Sequence, residues 1–324
     1  MNSTGRITIP AAEEILNQYF PVLDHGFVAL VDYMGGDSSV VRAARTSYGA
    51  GTKSVSEDRT LTRYLSRNRH ASPFEMTEMV FHMGLPIFVA RQLVRHRTAS
   101  LNEYSGRYSQ MPMLFYRPDQ EHLQLQAKSN KQGRAGVVSN DVWRKVQEEY
   151  ERNEIRSVAS YEAQLGYDVA RELARIDLPL STYTYWYWKM DLRNMLHCMG
   201  LRADSHAQYE IRAFANVMCG MVQRLAPDAF EAFIDYELCS ARFSRQEMKW
   251  LRSYFFESEK GAGRLVVGDM MKADGISQRE VDEFFAKMKK DYTQVPDFTL
   301  DLTQAKPGSF FEEKIAQAVP AVDL

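Results

Sequence analysis

The densest chemistry in the chain lies in residues 91–109, RQLVRHRTASLNEYSGRYS. Arg95, His96, Arg97 and Arg107 place four potential cations close together, and lysine is absent from the stretch. Arginine grips a planar phosphate or carboxylate through two parallel hydrogen bonds, whereas lysine acts as a point charge. Among the cations stand Ser100, Asn102, Glu103 and Ser105, short hydrogen-bonding groups suited to a ribose or a base edge. Gly106 permits a tight turn or a close backbone approach. The composition suits one small phosphorylated ligand. It suits equally a solvated basic loop at a helix end, where cations complement the helix dipole without any ligand. Single-stranded nucleic acid is a third reading, with Tyr104 and Tyr108 as stacking platforms. The whole-chain formal charge of -2 opposes that reading.

The bulk numbers narrow the field. The 324 residues suffice for one large domain or two ordinary ones with an unstapled core. An apolar share of 45% and a charged share of 25% are those of a globular protein. Cys198, Cys219 and Cys239 are odd in number, lack metal-ligand spacing and lie in apolar, helix-like sequence. They read as buried free thiols in a reducing compartment. MNSTGRITIP lacks the regions of a signal peptide, and Arg91, Gln92 and Arg95 interrupt the apolar stretch near Ile87. The expectation is a cytosolic protein that binds neither membrane nor nucleic acid.

The elements that must position the cluster follow from period and punctuation. Pro86 opens a helix that runs to about Arg95. Before it, residues 75–83 (EMTEMVFHM) have the strand period, with Met76, Glu78, Val80 and His82 on one face. Thr77, Met79, Phe81 and Met83 occupy the other. Residues 26–34 read as a strand; 11–19, 38–47 and 57–69 read as helices, the second ending at a Gly-rich turn, Tyr48 to Gly51. Polar residues 126–140 read as a mobile loop, and helices are expected over 141–165 and 168–176. STYTYWYW, after Pro179, suits either a strand or a helix in an aromatic core. Residues 191–199 are helical in pattern. The clearest helix begins at Asp204 or Ser205, where Ser205 and Gln208 have capping-box spacing. Ala207, Ile211, Phe214, Met218 and Val222 then recur at helical spacing. From about Phe243 the composition becomes more charged, with a Gly-rich break, GAGRLVVG. The expected fold is α+β, mixed helices with an antiparallel sheet. It comprises one catalytic domain over 1–240 and a helical extension over 241–324.

The order of residues is more specific than their composition. RHRTASLNEYSGRY, residues 95–108, matches every defined position of the pattern R-H-R-x-x-S-x-N-E-x-S-x-R-Y and so resembles the flavin-dependent thymidylate synthases. VRAARTSY (41–48), the His70-Ala-Ser-Pro-Phe-Glu75 run, PIFVARQ (86–92), ARIDLPLSTYT (174–184) and LRADSHAQYEIR (201–212) resemble further family segments in family order. The likeness covers roughly residues 25 to 236. By contrast, the GAG of 261–263 has no βαβ unit around it and is a weak glycine signal.

The resemblance implies FAD bound between the subunits of a homotetramer, with dUMP stacked on the flavin ring. Carried over, Arg95, His96 and Arg97 contact FAD, with Asn102 and Glu103 close by. Ser47, His70 and Ser72 match flavin-side positions, and Asp191, Arg193 and His197 match a further FAD-binding group. Some family members have Asn where this chain has Asp191 and His197. Gln92, Arg95, Glu103, Ser105, Gly106 and Arg107 would contact dUMP, and Arg175 would complete its pocket. Arg202 matches the arginine set against the uracil, favouring its N3-deprotonated form.

Each position has a plainer reading. Arg175 suits a helix end beside Asp177, and Arg193 with His197 suits a solvated pair four residues apart. His206 and Glu210 are also four apart, but two residues are too few for a metal, and HExxH is absent. His206 is read as capping the site or the helix, and His25, His82 and His122 as surface or packing residues. By the same resemblance the reaction is reductive methylation of dUMP to dTMP. Methylenetetrahydrofolate gives the carbon, NADPH reduces FAD, and no protein nucleophile bonds to the uracil. Two rivals are an FAD enzyme without methyl transfer and a non-catalytic nucleotide- or RNA-binding protein.

Overall fold

The computed structural model describes residues 5–47, 58–128, 133–252, 264–273, 278–289, 295–310 and 313. The expected turn at Tyr48 to Gly51 and the start of the GAGRLVVG break lie outside the described residues, as does the middle of the 126–140 loop.

Its centre is an antiparallel sheet of five strands in the order β1-β2-β3-β7-β4. These are β1 (Tyr19–Val22), β2 (Gly26–Met34), β3 (Glu78–Pro86), β7 (Tyr183–Asp191) and the edge strand β4 (Ser100–Glu103). A two-stranded hairpin, β5 (Gln124–Gln126) and β6 (Arg134–Val137), occupies part of the expected loop. The aromatic run after Pro179 is thus a strand. It pairs with β3 on one side, Phe81 opposite Trp188, and with β4 on the other, Glu103 opposite Trp186. Tyr183, Thr184, Tyr185 and Trp186 are all buried, so the alternation that identifies a half-exposed strand is missing from it.

The helices are α1 (Pro10–Glu13), α2 (Asp37–Arg45), α3 (Asp58–Arg67), α4 (Ile87–Leu93), α5 (Asn140–Gly166) and α6 (Arg171–Ala174). They continue with α7 (Leu192–Arg202), α8 (Tyr209–Leu225), α9 (Pro227–Phe233), α10 (Arg245–Arg252), α11 (Arg264–Ala273) and α12 (Gln278–Lys289). α8 turns Ile211, Phe214, Met218 and Val222 inward and packs on β1, β2, α4 and α7. Residues 298–310 return to this part of the chain. The Phe298 carbonyl sits where a Cβ on Gly220 would lie only 2.4 Å away, so no larger residue fits α8 there. Lys306 bridges Tyr19 at the β1 edge.

Several boundaries differ from the sequence expectation, each for a local reason. α1 stops at Glu13 because Leu16 bridges Leu30 and Asn17 turns to positive φ. β3 starts at Glu78 because Ser72–Met76 winds a 3-10 turn. Pro86 is the extended residue preceding α4 and not its first helical one. α8 begins at Tyr209, with Gln208 as its N-cap and no capping box at Ser205, because the Gln208 side chain is engaged elsewhere.

The chain divides into two compact units: residues 1–232 with 298–324, and residues 233–297. The expected boundary near 240 falls inside the second. That unit has its own small core, Trp250, Met271, Val281, Phe284 and Phe285, and an ion pair between Lys287 and Glu247. Among the described residues no helix is long and apolar enough to cross a membrane.

Candidate functional site

α4 buries Val89, Ala90 and Leu93 and delivers its polar side, with the residues that follow, to one place. Arg95 and Arg97 are exposed, and among the described residues neither side chain has a hydrogen-bond or ion-pair partner. They stand just beyond the C-terminal end of α4, where cations are favoured by the helix dipole. His96 is half-buried between them. Its Nε2 accepts a hydrogen bond of 3.1 Å from Nε of Arg202, the last residue of α7. Guanidinium only donates, so His96 is the neutral tautomer with its proton on Nδ1. Burial pushes the His96 pKa down to about 4, and the Arg202 charge and then His197 add to the shift. The His197 ring lies edge-on to His96 at 6.4 Å. Arg202 also donates from Nη2 to the Gln92 carbonyl at 3.4 Å. The Gln92 side chain donates to Gln208 Oε1 at 2.8 Å. Gln92, His96 and Arg202 are therefore one interlocked group.

The second half of the signature is organised differently. β4 is an edge strand, and all four of its residues are exposed. Asn102 lies opposite Tyr187 in its register. Glu103 is held by the buried Thr184 hydroxyl at 2.7 Å, and the strand continues into a Tyr104 backbone hydrogen bond with Tyr185 at 2.7 Å. The chain then turns, with Ser105 Oγ accepting from the Arg107 amide at 3.3 Å. Gly106 is wedged: a Cβ there would meet Met111 Sδ at 2.6 Å and Arg175 Cδ at 2.9 Å. Arg107 pairs with Glu172 at 2.7 Å, both largely exposed. The structure thus joins Ser105, Gly106, Arg107 and Arg175. Among the described residues no hydrogen bond or ion pair connects them to the Gln92–Arg202 group.

A third set surrounds the 3-10 turn 72–76, against which α2 and α7 pack. His70 is exposed and stacks on Tyr64 with ring centroids 5.9 Å apart. Ser72 is exposed, and Arg193 reaches Glu75 at 3.6 Å. Asp191 caps α7, accepting from the Asn194 amide at 2.9 Å and its side chain at 2.6 Å. Ser47 ends the turn after α2, exposed. His206 faces Asp204, through both its backbone amide and its ring, in the turn ahead of α8. It does not cap the helix, whose N-cap is Gln208. His82 is buried, hydrogen-bonded to Tyr19 and stacked on Tyr187 at 4.6 Å. Among the described residues no cluster of three His, Cys, Asp or Glu could hold a metal.

The family profile described as thymidylate synthase complementing protein matches residues 29–228. A flavin-dependent thymidylate synthase of Ruegeria pomeroyi is 45% identical over 287 residues, covering 87% of this chain and 91% of that protein. Another, from Ehrlichia ruminantium (strain Gardel), is 47% identical over 279 residues, covering 86% and 90%. This chain belongs to the flavin-dependent thymidylate synthase family. A solved UMP/dUMP methylase, PolB of Streptomyces cacaoi, bound with 5-Br dUMP, superposes with a TM-score of 0.61 at 35% identity, covering 67% of this chain and 98% of that one.

Family membership makes the chain a flavin-using enzyme of the methyltransferase class. The likeness to the Ruegeria protein also passes the expected limit near 236: 87% of 324 residues is more than residues 1–240 contain, so part of the tail is shared. The donor set suits a flavin dinucleotide. Arg95 and Arg97 offer guanidinium groups with no acidic partner among the described residues, and Gly106 leaves no room for a side chain beside Arg175.

From sequence, Tyr116, Arg134, Gln208 and Glu210 carry no site role, and Glu210 is weighed only with His206 as a metal pair. Glu210 is 2% exposed and bound to Tyr116, Arg134 and Gln208. An acid on the inward side of an apolar helix was the available signal.

Proposed function

We propose that this chain converts dUMP to dTMP with FAD bound, taking its carbon from methylenetetrahydrofolate and its electrons from NADPH. The observation that carries the reading is the 3.1 Å hydrogen bond from Arg202 to a neutral His96 inside the signature. Together with the bond from Nη2 to the Gln92 carbonyl, it pins a guanidinium while leaving the remaining N–H groups for a ligand. Carriage of the methylene group and hydride is the chemistry that bound FAD supplies. On the protein side, Arg202 stabilises negative charge developing on the uracil ring, as a preorganised oxyanion donor does. Arg95, His96 and Arg97, with Asn102 and Glu103, hold the flavin. Ser47, His70, Ser72, Asp191, Arg193 and His197 complete that side. Gln92, Arg95, Glu103, Ser105, Gly106, Arg107 and Arg175 hold dUMP.

The separation of the Gln92–Arg202 group from the Ser105–Arg175 group supports a site shared between subunits of a homotetramer. In that reading each subunit presents one half to a neighbour's other half. The catalytic part lies within residues 1–240, with 241–324 as an extension. A covalent route through a thiol is disfavoured. Cys198 and Cys219 are wholly buried; burial pushes the Cys198 thiol up to about 12 and raises that of Cys219 as well. Ser105 Oγ is turned to its own loop amide and holds substrate without attacking it.

The test is a purified protein with flavin absorbance that releases tritium from 5-tritiated dUMP and forms dTMP when given the folate donor and NADPH. A colourless protein that ignores FAD, or a yellow one that leaves dUMP unchanged, overturns the proposal.

A further inference from the structure

Glu210 is the most deeply buried acid among the described residues that lies close to the signature, and the mechanism above does not use it. It sits in the first turn of α8, 2% exposed. Burying a carboxylate is costly unless each oxygen is answered. Oε1 accepts from the Tyr116 hydroxyl at 3.1 Å. Oε2 accepts from Arg134 Nη2 at 2.6 Å and from Gln208 Nε2 at 2.8 Å. Arg134 also donates to the His122 carbonyl at 3.1 Å, so the same ion pair fastens the β5–β6 hairpin.

The contact with Gln208 has a directional consequence. An amide is nearly symmetric in shape but has a donor end and an acceptor end. An ion-paired carboxylate only accepts, so Gln208 must turn Nε2 to Glu210 and Oε1 away. Oε1 then meets Gln92, which must answer with Nε2, at 2.8 Å. That leaves Gln92 Oε1 as a free acceptor, with no partner among the described residues. The Gln92 backbone is fixed by the same neighbourhood, since its carbonyl takes the Arg202 Nη2 bond. One buried charge thereby sets the polarity of two amides in series.

We propose that Glu210 is a positioning residue: through Gln208 it orients the Gln92 amide so that its oxygen, and not its nitrogen, faces the ligand. The ligand group so recognised is a donor, a ribose hydroxyl or a ring N–H of the nucleotide. A Gln at 210 can donate as well as accept, so it permits both amides to flip. This rests on the reading of Gln92 as a dUMP contact.

The experiment compares Glu210→Gln, Gln208→Met, the double variant and Arg134→Lys, each as the flavin-loaded full chain. Calorimetry gives the dUMP dissociation constant, and flavin content and thermal midpoint are recorded alongside. Glu210→Gln and Gln208→Met each weaken dUMP binding roughly tenfold, the order of one hydrogen bond. The double variant is no weaker than Gln208→Met alone, because both act on one path. Arg134→Lys lowers the thermal midpoint but leaves dUMP affinity within about twofold, since it loosens the hairpin while a cation still faces Glu210 and keeps it ionised. Unchanged affinity in Glu210→Gln, a double loss equal to the product of the single losses, or an affinity loss in Arg134→Lys as large as in Glu210→Gln overturns the relay. If Glu210→Gln does not fold, Gln208→Met decides alone, and wild-type affinity in it overturns the proposal. A wild-type protein that binds no dUMP sinks the functional reading itself, a result distinct from wild-type binding with an indifferent Glu210→Gln.

Discussion

The two halves of one signature are built in opposite ways. Around the end of α4, His96, Gln92 and Arg202 are tied to one another and to α7 and α8 by hydrogen bonds of 2.8 to 3.4 Å. Around Gly106, the groups facing outward are held by an edge strand, a tight turn and one exposed ion pair to Glu172. Preorganised dipoles act where charge develops, because they need no reorganisation at the moment of reaction. An open edge with exposed donors acts on affinity. Within the first half Arg202 is therefore assigned to rate, and the second half to holding the nucleotide.

The largest expected effect lies in the interlocked half. Arg202→Ala lowers turnover about 10²- to 10³-fold, the usual loss for one preorganised donor, while the protein still takes up flavin. Loss of flavin in step with activity would move Arg202 to the cofactor side. Next, Arg97→Ala weakens FAD by about 1.5–3 kcal/mol, the worth of a hydrogen bond to a charged group. A flavin titration that matches wild type would return Arg97 to the status of a solvated cation.

In the open half, Gly106→Ala forces its methyl against Met111 and the Arg175 stem. Overpacking of this kind costs about 1–3 kcal/mol, and here it is read as weaker dUMP binding with flavin content preserved. The smallest effect is expected at the exposed pair Arg107–Glu172. Glu172→Ala changes stability by at most about 1 kcal/mol. A larger drop in thermal midpoint would show that the turn depends on that pair, and would weaken the contrast between the halves.

Much of the frame is legible in the residues, and the failures have physical causes. The strand over 26–34 is present over those residues because its flanking turns are unambiguous. The run after Pro179 leaves helix and strand open because β7 is covered on both faces from Tyr183 to Trp186, which erases the period there. Ser205 and Gln208 have the spacing of a helix cap, yet Gln208 spends its amide on Gln92 and Glu210. Such long-range commitments are invisible to local pattern. The signature itself was legible by order, not by composition, since an Arg-rich helix end is also an ordinary surface feature. That no hydrogen bond or ion pair among the described residues joins its two halves is a property of the fold alone.

The most direct test of this division is steady-state dTMP formation by Arg202→Ala and Arg107→Ala measured side by side over a range of dUMP. The account predicts that Arg202→Ala loses kcat with little change in KM for dUMP, and that Arg107→Ala raises KM with kcat near wild type. The same split in both variants, or the reverse assignment, would contradict it.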